Sequence, residues 1–195
     1  MPHVDWCLVK RSLTGPEDEC GDTGVVIEYD GGCFLALVDV LGHGSSAAAV
    51  AALAERFLKE NYRLDPVDLM KGLHVHLKGT RGAVAAICRF DISRGELIYA
   101  GVGNITTRVF GEKQYRLVPR DGILGYMIAS PNESSVKLTP GDILVLSSDG
   151  IREHFDADCF PDLLTGPARK IAERLLATFG KENDDASCIV MRYGK

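Results

Sequence analysis

Apolar positions along the chain fall into short runs separated by turn residues, with only three stretches long enough and suitably spaced for helices. Val4 to Ser12 alternates loosely and predicts a first strand. Gly24 to Tyr29 predicts a second, and Asp30-Gly31 has the composition of a tight hairpin turn. It leads into Cys33-Phe34-Leu35-Ala36-Leu37-Val38, a continuous apolar run of the kind a fully buried strand shows. Ser45 to Glu60 is rich in Ala, Val and Leu without a breaker, which is good helix composition. Asp65-Pro66 then reads as a helix start, giving a second helix over about Val67 to Leu77. Ala83 to Phe90, Glu96 to Ala100, Ile105 to Phe110, Gln114 to Val118 and Ile143 to Ser147 are further strands. Gly101-Val102-Gly103-Asn104 interrupts them, and both glycines read as backbone turns. Pro167 to Phe179 has helical spacing in Ile171, Leu175, Leu176 and Phe179, with Gly180 as its stop. Ala186 to Arg192 closes the chain as an apolar strand.

Strands, two consecutive helices, more strands, one helix and a last strand is not the alternation of a doubly wound parallel sheet. The expected class is α+β, with antiparallel sheets and segregated helices. No repeat, linker or low-complexity segment divides the 195 residues, so a single domain over 1–195 is expected. The chain is 46% hydrophobic and 25% charged with a net charge of -5, and no basic cluster interrupts it. That balance argues against nucleic acid or a membrane surface as the main partner. No apolar run approaches the ~20 residues that span a bilayer, and Met1-Pro2-His3-Val4-Asp5 lacks the pattern of a signal peptide. The six cysteines contain no Cys-x-x-Cys pair. Reduced thiols in a cytoplasmic protein are the expectation.

Candidate chemistry lies in the carboxylates. Asp39 ends a buried strand and is followed by Val40-Leu41-Gly42-His43-Gly44, the join to the first helix. Asp22 opens the preceding strand, and a register count on the Asp30-Gly31 hairpin brings Asp22 and Asp39 to the same rim of the sheet. Asp149 follows the apolar run Ile143 to Ser147, and Asp184 precedes the last strand. Each Asp alone is a common turn residue. Four such groups in one cleft would repel severely unless protonated or neutralised by cations. Hard oxygen donors without a thiolate or histidine set favour magnesium or manganese over zinc. His74-Val75-His76 fits an exposed helix end better than a metal pair, and Trp6 and Tyr99 fit core or rim aromatics.

The motifs run in a recognisable order: Gly21-Asp22; Asp39 to Gly44; Ala100-Gly101-Val102-Gly103-Asn104; Ile123-Leu124-Gly125; Ser148-Asp149-Gly150-Ile151-Arg152-Glu153; Asp184-Asp185-Ala186-Ser187. In this the chain resembles the metal-dependent Ser/Thr protein phosphatases (PPM, type 2C), in their bacterial SpoIIE/RsbU/RsbX branch. Consisting of catalytic domain alone, it looks most like the RsbX type, the stressosome feedback phosphatases. The resemblance implies two packed antiparallel β-sheets flanked by helices, an α-β-β-α sandwich with two Mn2+ or Mg2+ ions at one end and a weak third metal in some members. It implies that Asp39 bridges the ions and the attacking hydroxide, helped by the Val40 backbone carbonyl. Asp149 and Asp184 would share one ion and Asp22 would hold the other. It further implies direct hydrolysis of phosphoserine and phosphothreonine, without a phosphoenzyme, in STAS-domain proteins of the stressosome type, by a cytoplasmic enzyme expected to be monomeric.

The chain departs from the family pattern in three places. Leu41 stands where the eukaryotic branch has a general-acid His, Val40 replaces a common Gly, and Ser187 a usual Thr. Gly101, Gly103 and Asn104 are candidate cleft or substrate residues; Lys10 and Arg11 are candidate phosphate clamps. His43 reads as a helix N-terminal residue. Two alternatives remain open: a non-catalytic, phosphatase-like partner-binding regulator, and a different two-metal hydrolase acting on small phosphoesters.

Overall fold

The structure, a computed structural model, describes residues 2–13, 15–16, 19–152 and 162–194. Glu153, the end of the 148–153 motif, and Cys159 lie outside the described residues.

The first sheet contains β1 (His3–Arg11), β6 (Thr106–Phe110), β7 (Tyr115–Leu117), β11 (Ile143–Ser147) and β12 (Ala186–Gly194) in the order β1-β12-β11-β6-β7. The second contains β2 (Asp22–Tyr29), β3 (Gly32–Val40), β4 (Ala83–Asp91), β5 (Glu96–Val102) and β10 (Ser134–Lys137) in the order β10-β5-β4-β3-β2. All pairings within these two sheets are antiparallel. Helices α1 (Ser45–Asn61) and α2 (Pro66–His76) cover the second sheet, and α3 (Ala168–Phe179) covers the first.

Side-chain alternation explains this layering, because successive strand residues point to opposite faces. From β3, Phe34, Ala36 and Val38 face α1 and α2, where they meet Ala47, Ala54, Leu58, Leu69 and Leu73. Their neighbours Cys33, Leu35 and Leu37 face the other sheet and meet Leu144, Leu146, Ile189 and Met191. A third core joins the outer face of the first sheet to α3 through Val145, Val190, Ile171 and Leu175. Buried on both faces, β3 and β12 read as continuous apolar runs. The result is the expected α-β-β-α sandwich.

The element ends agree with the sequence reading to within a few residues, with two differences. The second sheet takes β5 through to Val102, so Gly101 is a strand residue paired with Ala86 rather than a turn. Its missing side chain makes room for the Tyr99 ring and Pro119, and buried close packing, not turn geometry, is what selects glycine there. The small hairpin β8 (Gly122–Ile123) and β9 (Met127–Ile128), and the edge strand β10, carry too few apolar residues to show a period. Leu124 ties that hairpin to the start of β4 through reciprocal hydrogen bonds with Ala83 (3.2 and 2.8 Å). No helix among the described residues is long and apolar enough to cross a membrane.

Gly150 packs directly on the backbone of Asp185 and Ala186. A Cβ there would overlap the Asp185 carbonyl oxygen and stand 2.8 Å from the Ala186 Cα, both backbone atoms with little room to move. Gly150→Ala should therefore destabilise the protein by about 2–3 kcal/mol, read as a lower urea midpoint at unchanged m-value.

Candidate metal centre

The hairpin of β2 and β3 places Asp22 directly opposite Asp39. Its turn is the two-residue Asp30-Gly31, with Gly31 at φ 75°, so the register is fixed at one end and the two carboxylates meet at the other. Val40 ends β3, its amide donating to the Gly21 carbonyl at 3.2 Å. No described non-glycine residue has a positive φ, so Val in place of Gly carries no backbone strain here. The chain then turns through Gly42 (φ 81°) and Gly44 (φ 77°) into α1. His43 is exposed just before that helix.

From the other sheet, Asp149 follows β11 and Asp184 precedes β12, neighbouring antiparallel strands. Asp39, Asp149 and Asp184 line one cavity of ≈ 500 Å³, together with Leu41, Gly103 and Asn104. Asp22 lies just beneath, 1% exposed. Asn104 donates from Nδ2 to Oδ2 of Asp149 at 2.8 Å and so fixes that carboxylate. Gly101 does not reach this cleft; Gly103, with φ 94° and its Cα against Val84, does.

Two further carboxylates belong to the site. Asp121, beside the β8–β9 hairpin, lines the cleft. Asp185 lies at the cleft floor, 4% exposed, and accepts from the Leu13 amide at 2.7 Å and the Gly21 amide at 2.6 Å. It thus pins the end of β1 and the start of β2 to the strand that carries Asp184. In the sequence it looks like a second copy of its neighbour. Arg11, a candidate phosphate clamp, instead donates to the Lys181 carbonyl and ties β1 to the loop after α3.

The electrostatics are unfavourable as the residues stand. Burial, then the Asp22, Asp149 and Asp184 charges, push the Asp39 carboxyl far above the usual carboxylate range. Asp22 is raised by burial, against a lowering contribution from the nearby Ser148 and Ser187 hydroxyls. Asp184 is also raised, by burial and then by Asp149. One oxygen of Asp22, Oδ2, is buried without a hydrogen-bond partner. Such an atom is costly unless something positive meets it. Among the described residues no three His, Cys, Asp or Glu side chains are already gathered into a metal-holding group. The carboxylates share a rim and a cleft rather than a common point. An orphaned carboxylate oxygen and an all-oxygen donor set fit hard divalent cations.

Residues 29–194 match the model of the Stage II sporulation protein E (SpoIIE) family. The chain belongs to the SpoIIE family. A relative, the phosphoserine phosphatase RsbX of Bacillus subtilis (strain 168), is 28% identical over 156 residues, covering 76% of this chain and 75% of the relative. A structure from work on the bacterial stressosome, as a modular system adapted to control secondary messenger signaling, is 30% identical. It superposes with a TM-score of 0.89 over 97% of this chain and 100% of that one. RsbX in complex with magnesium has the same fold, with a TM-score of 0.84 at 19% identity over 98% of this chain and 96% of that one. The likeness to these two structures spans both sheets of this chain.

Two outcomes follow for the metal-free protein. A carboxyl whose folded pKa lies above its unfolded value favours the folded state while protonated and opposes it once ionised, so stability falls as pH rises above the ordinary carboxylate range. Asp39→Asn removes that charge and should raise the Tm at neutral pH by a few degrees, the order expected of about 1 kcal/mol in a chain of this size. It should also flatten the decline of Tm with pH in differential scanning calorimetry. Asp185→Ala should do the opposite, lowering stability by about 2–3 kcal/mol, because two amides lose a charged acceptor.

Proposed function

We propose that the protein is a divalent-metal-dependent phosphatase of phosphoserine and phosphothreonine in signalling proteins. It acts in a stressosome pathway as a negative-feedback regulator of a stress response. The observation that carries this reading is the convergence of Asp22, Asp39, Asp149 and Asp184 on one rim, with Asp39 pushed up most and a buried Asp22 oxygen left unpaired. The ordered motifs and the SpoIIE membership supply the reaction class. Phosphorylated STAS-domain proteins are the substrates we favour, and the five buried free thiols described suit a cytoplasmic setting.

Asp39, from the middle of the rim, would be shared between two Mn2+ or Mg2+ ions. Asp149 and Asp184 would hold one, and Asp22 with the Val40 carbonyl the other. Bound there, the ions supply Lewis acidity, neutralising phosphoryl oxygens and lowering the pKa of water toward neutrality. The chain's own contribution is position. Asn104 orients Asp149, and Asp185 fixes the strand ends on which Asp22 and Asp184 ride. Among the described residues lining the cleft there is no Cys, Ser or His. That supports attack by water rather than through a cysteinyl, seryl or histidyl phosphoenzyme. Leu41, 39% exposed, offers no proton to a leaving serine. Protonation of the leaving group then falls to water.

With manganese, the wild-type protein should hydrolyse p-nitrophenyl phosphate and a phosphoserine STAS-domain protein, and chelation should abolish both activities. Asp39→Asn and Asp149→Asn should each lose roughly 100-fold or more in kcat/KM, and Asn104→Ala about 10-fold, the range typical of groups that orient a metal ligand. Manganese should also raise the Tm of the wild type but not of Asp39→Asn. Metal-independent turnover, or full activity in both aspartate variants, would overturn the mechanism. Thermal stabilisation by metal without turnover on any phosphoprotein would instead favour the non-catalytic regulator.

A further inference from the structure

The residues that line the cleft include Asp39, Asp121, Asp149, Asp184 and Asp185, and among those described there is no Lys, Arg or His. A phosphomonoester arrives with a charge of about -1.5 to -2. It must pass this acidic mouth before anything deeper can hold it. Besides Lys181, whose charge acts on Asp184, a second cation lies against the cleft wall. Arg81 lies in the loop between α2 and β4, and its Nη1 donates to Ser46 Oγ at 2.8 Å in the first turn of α1. A Cβ built on Gly42, a cleft-lining residue, would stand only 2.9 Å from Arg81 Nη2, so the guanidinium lies directly against that glycine.

The loop is not free to carry the side chain elsewhere. Thr80 Oγ1 donates to the Leu77 carbonyl at 2.7 Å and accepts from the Gly82 amide at 3.2 Å. The Gly82 carbonyl in turn accepts from the Leu41 amide at 3.1 Å, two residues beyond Asp39. Gly82 (φ 86°) packs under Ile123 and Leu41, which both line the cleft. Arg81 forms no ion pair among the described residues. A guanidinium has five donors in a planar fork suited to phosphate oxygens. Here one of them fixes the group on Ser46.

The geometry points to Arg81 as a substrate-binding residue that takes the phosphoryl group of the phosphoserine substrate at the cleft mouth, held in place by Ser46. This rests on the phosphatase reading. Arg81 contributes affinity for the phosphoryl group rather than chemistry, so its loss falls on KM and on inhibition by product phosphate more than on kcat. Glycine at position 42 lets the guanidinium approach the cleft.

The test uses the full chain loaded with manganese, comparing the wild type with Arg81→Ala, Arg81→Lys and Ser46→Ala. Arg81→Ala should raise both the KM for the phosphoserine protein and the inhibition constant of inorganic phosphate about tenfold, with kcat changed less than threefold. Arg81→Lys should recover part of the loss, and Ser46→Ala should show a smaller one. A second readout needs no turnover: at the same concentration, inorganic phosphate should raise the Tm of the wild type more than that of Arg81→Ala. Phosphate inhibition and phosphate-induced stabilisation that are unchanged in Arg81→Ala would overturn the inference, even if the KM for the protein substrate rose. Arg81-dependent stabilisation by phosphate in a wild type without turnover would instead sink the phosphatase reading and leave the phosphate site standing.

Discussion

Mutual repulsion among carboxylates at one end of a β-sandwich is the constraint on which the rest of this structure depends. Asp22 and Asp39 face each other across a hairpin, and Asp149 and Asp184 reach the same cleft from the opposite sheet. Inside a low-dielectric setting such a group resists ionisation, and the raised Asp39 shows the resistance where it is strongest. Folding alone gives no reason to collect these charges. A ligand that brings positive charge does, and the chain tolerates the cost because two sheets and three helices bury enough apolar surface to offset it.

How the charges are kept together matters as much as why. Neither sheet alone bears the whole set, so their relative placement must be fixed near the cleft and not only through the distant core. Asp185 does this, since its buried carboxylate takes amides from Leu13 and Gly21 while its own backbone leads into β12. The Ser148 hydroxyl, accepting from the Ser187 amide at 3.0 Å, and the close packing of Gly150 on Asp185 hold the Asp149 turn against the same strand. One anion of the cluster is thereby spent on structure, satisfied by backbone donors, while Asp22, Asp39 and Asp184 remain poorly compensated.

Much of this was legible in the chain, for definite reasons. The Asp30-Gly31 turn fixes a register, and a register carries information eight residues away, which is how Asp22 could be placed beside Asp39. The two-sided burial of β3 left its mark as an unbroken apolar run. Asp185 escaped because its task, accepting backbone amides, leaves no pattern beyond an Asp next to another Asp. Gly101 misled because glycine serves both turns and tight strand packing, and only the Tyr99 ring beside it shows which applies. The β8–β9 hairpin escaped because strands of two residues have no period to detect.

Arg81 marks a different kind of limit. It is separated from Asp39 by two helices, and nothing in a Thr-Arg-Gly loop distinguishes a solvated cation from one aimed at a site. The fold makes the distinction, because α1 and α2 run out from the end of β3 and the chain returns to pair β4 with β3, ending the loop where the excursion began. An antiparallel neighbour must bring its start to the other strand's end. Whatever residues precede β4 are therefore delivered to the cleft mouth by topology. A site crowded with acids gains most from a cation placed there, close enough to meet an anion and tethered by Ser46 away from the carboxylates it would otherwise neutralise.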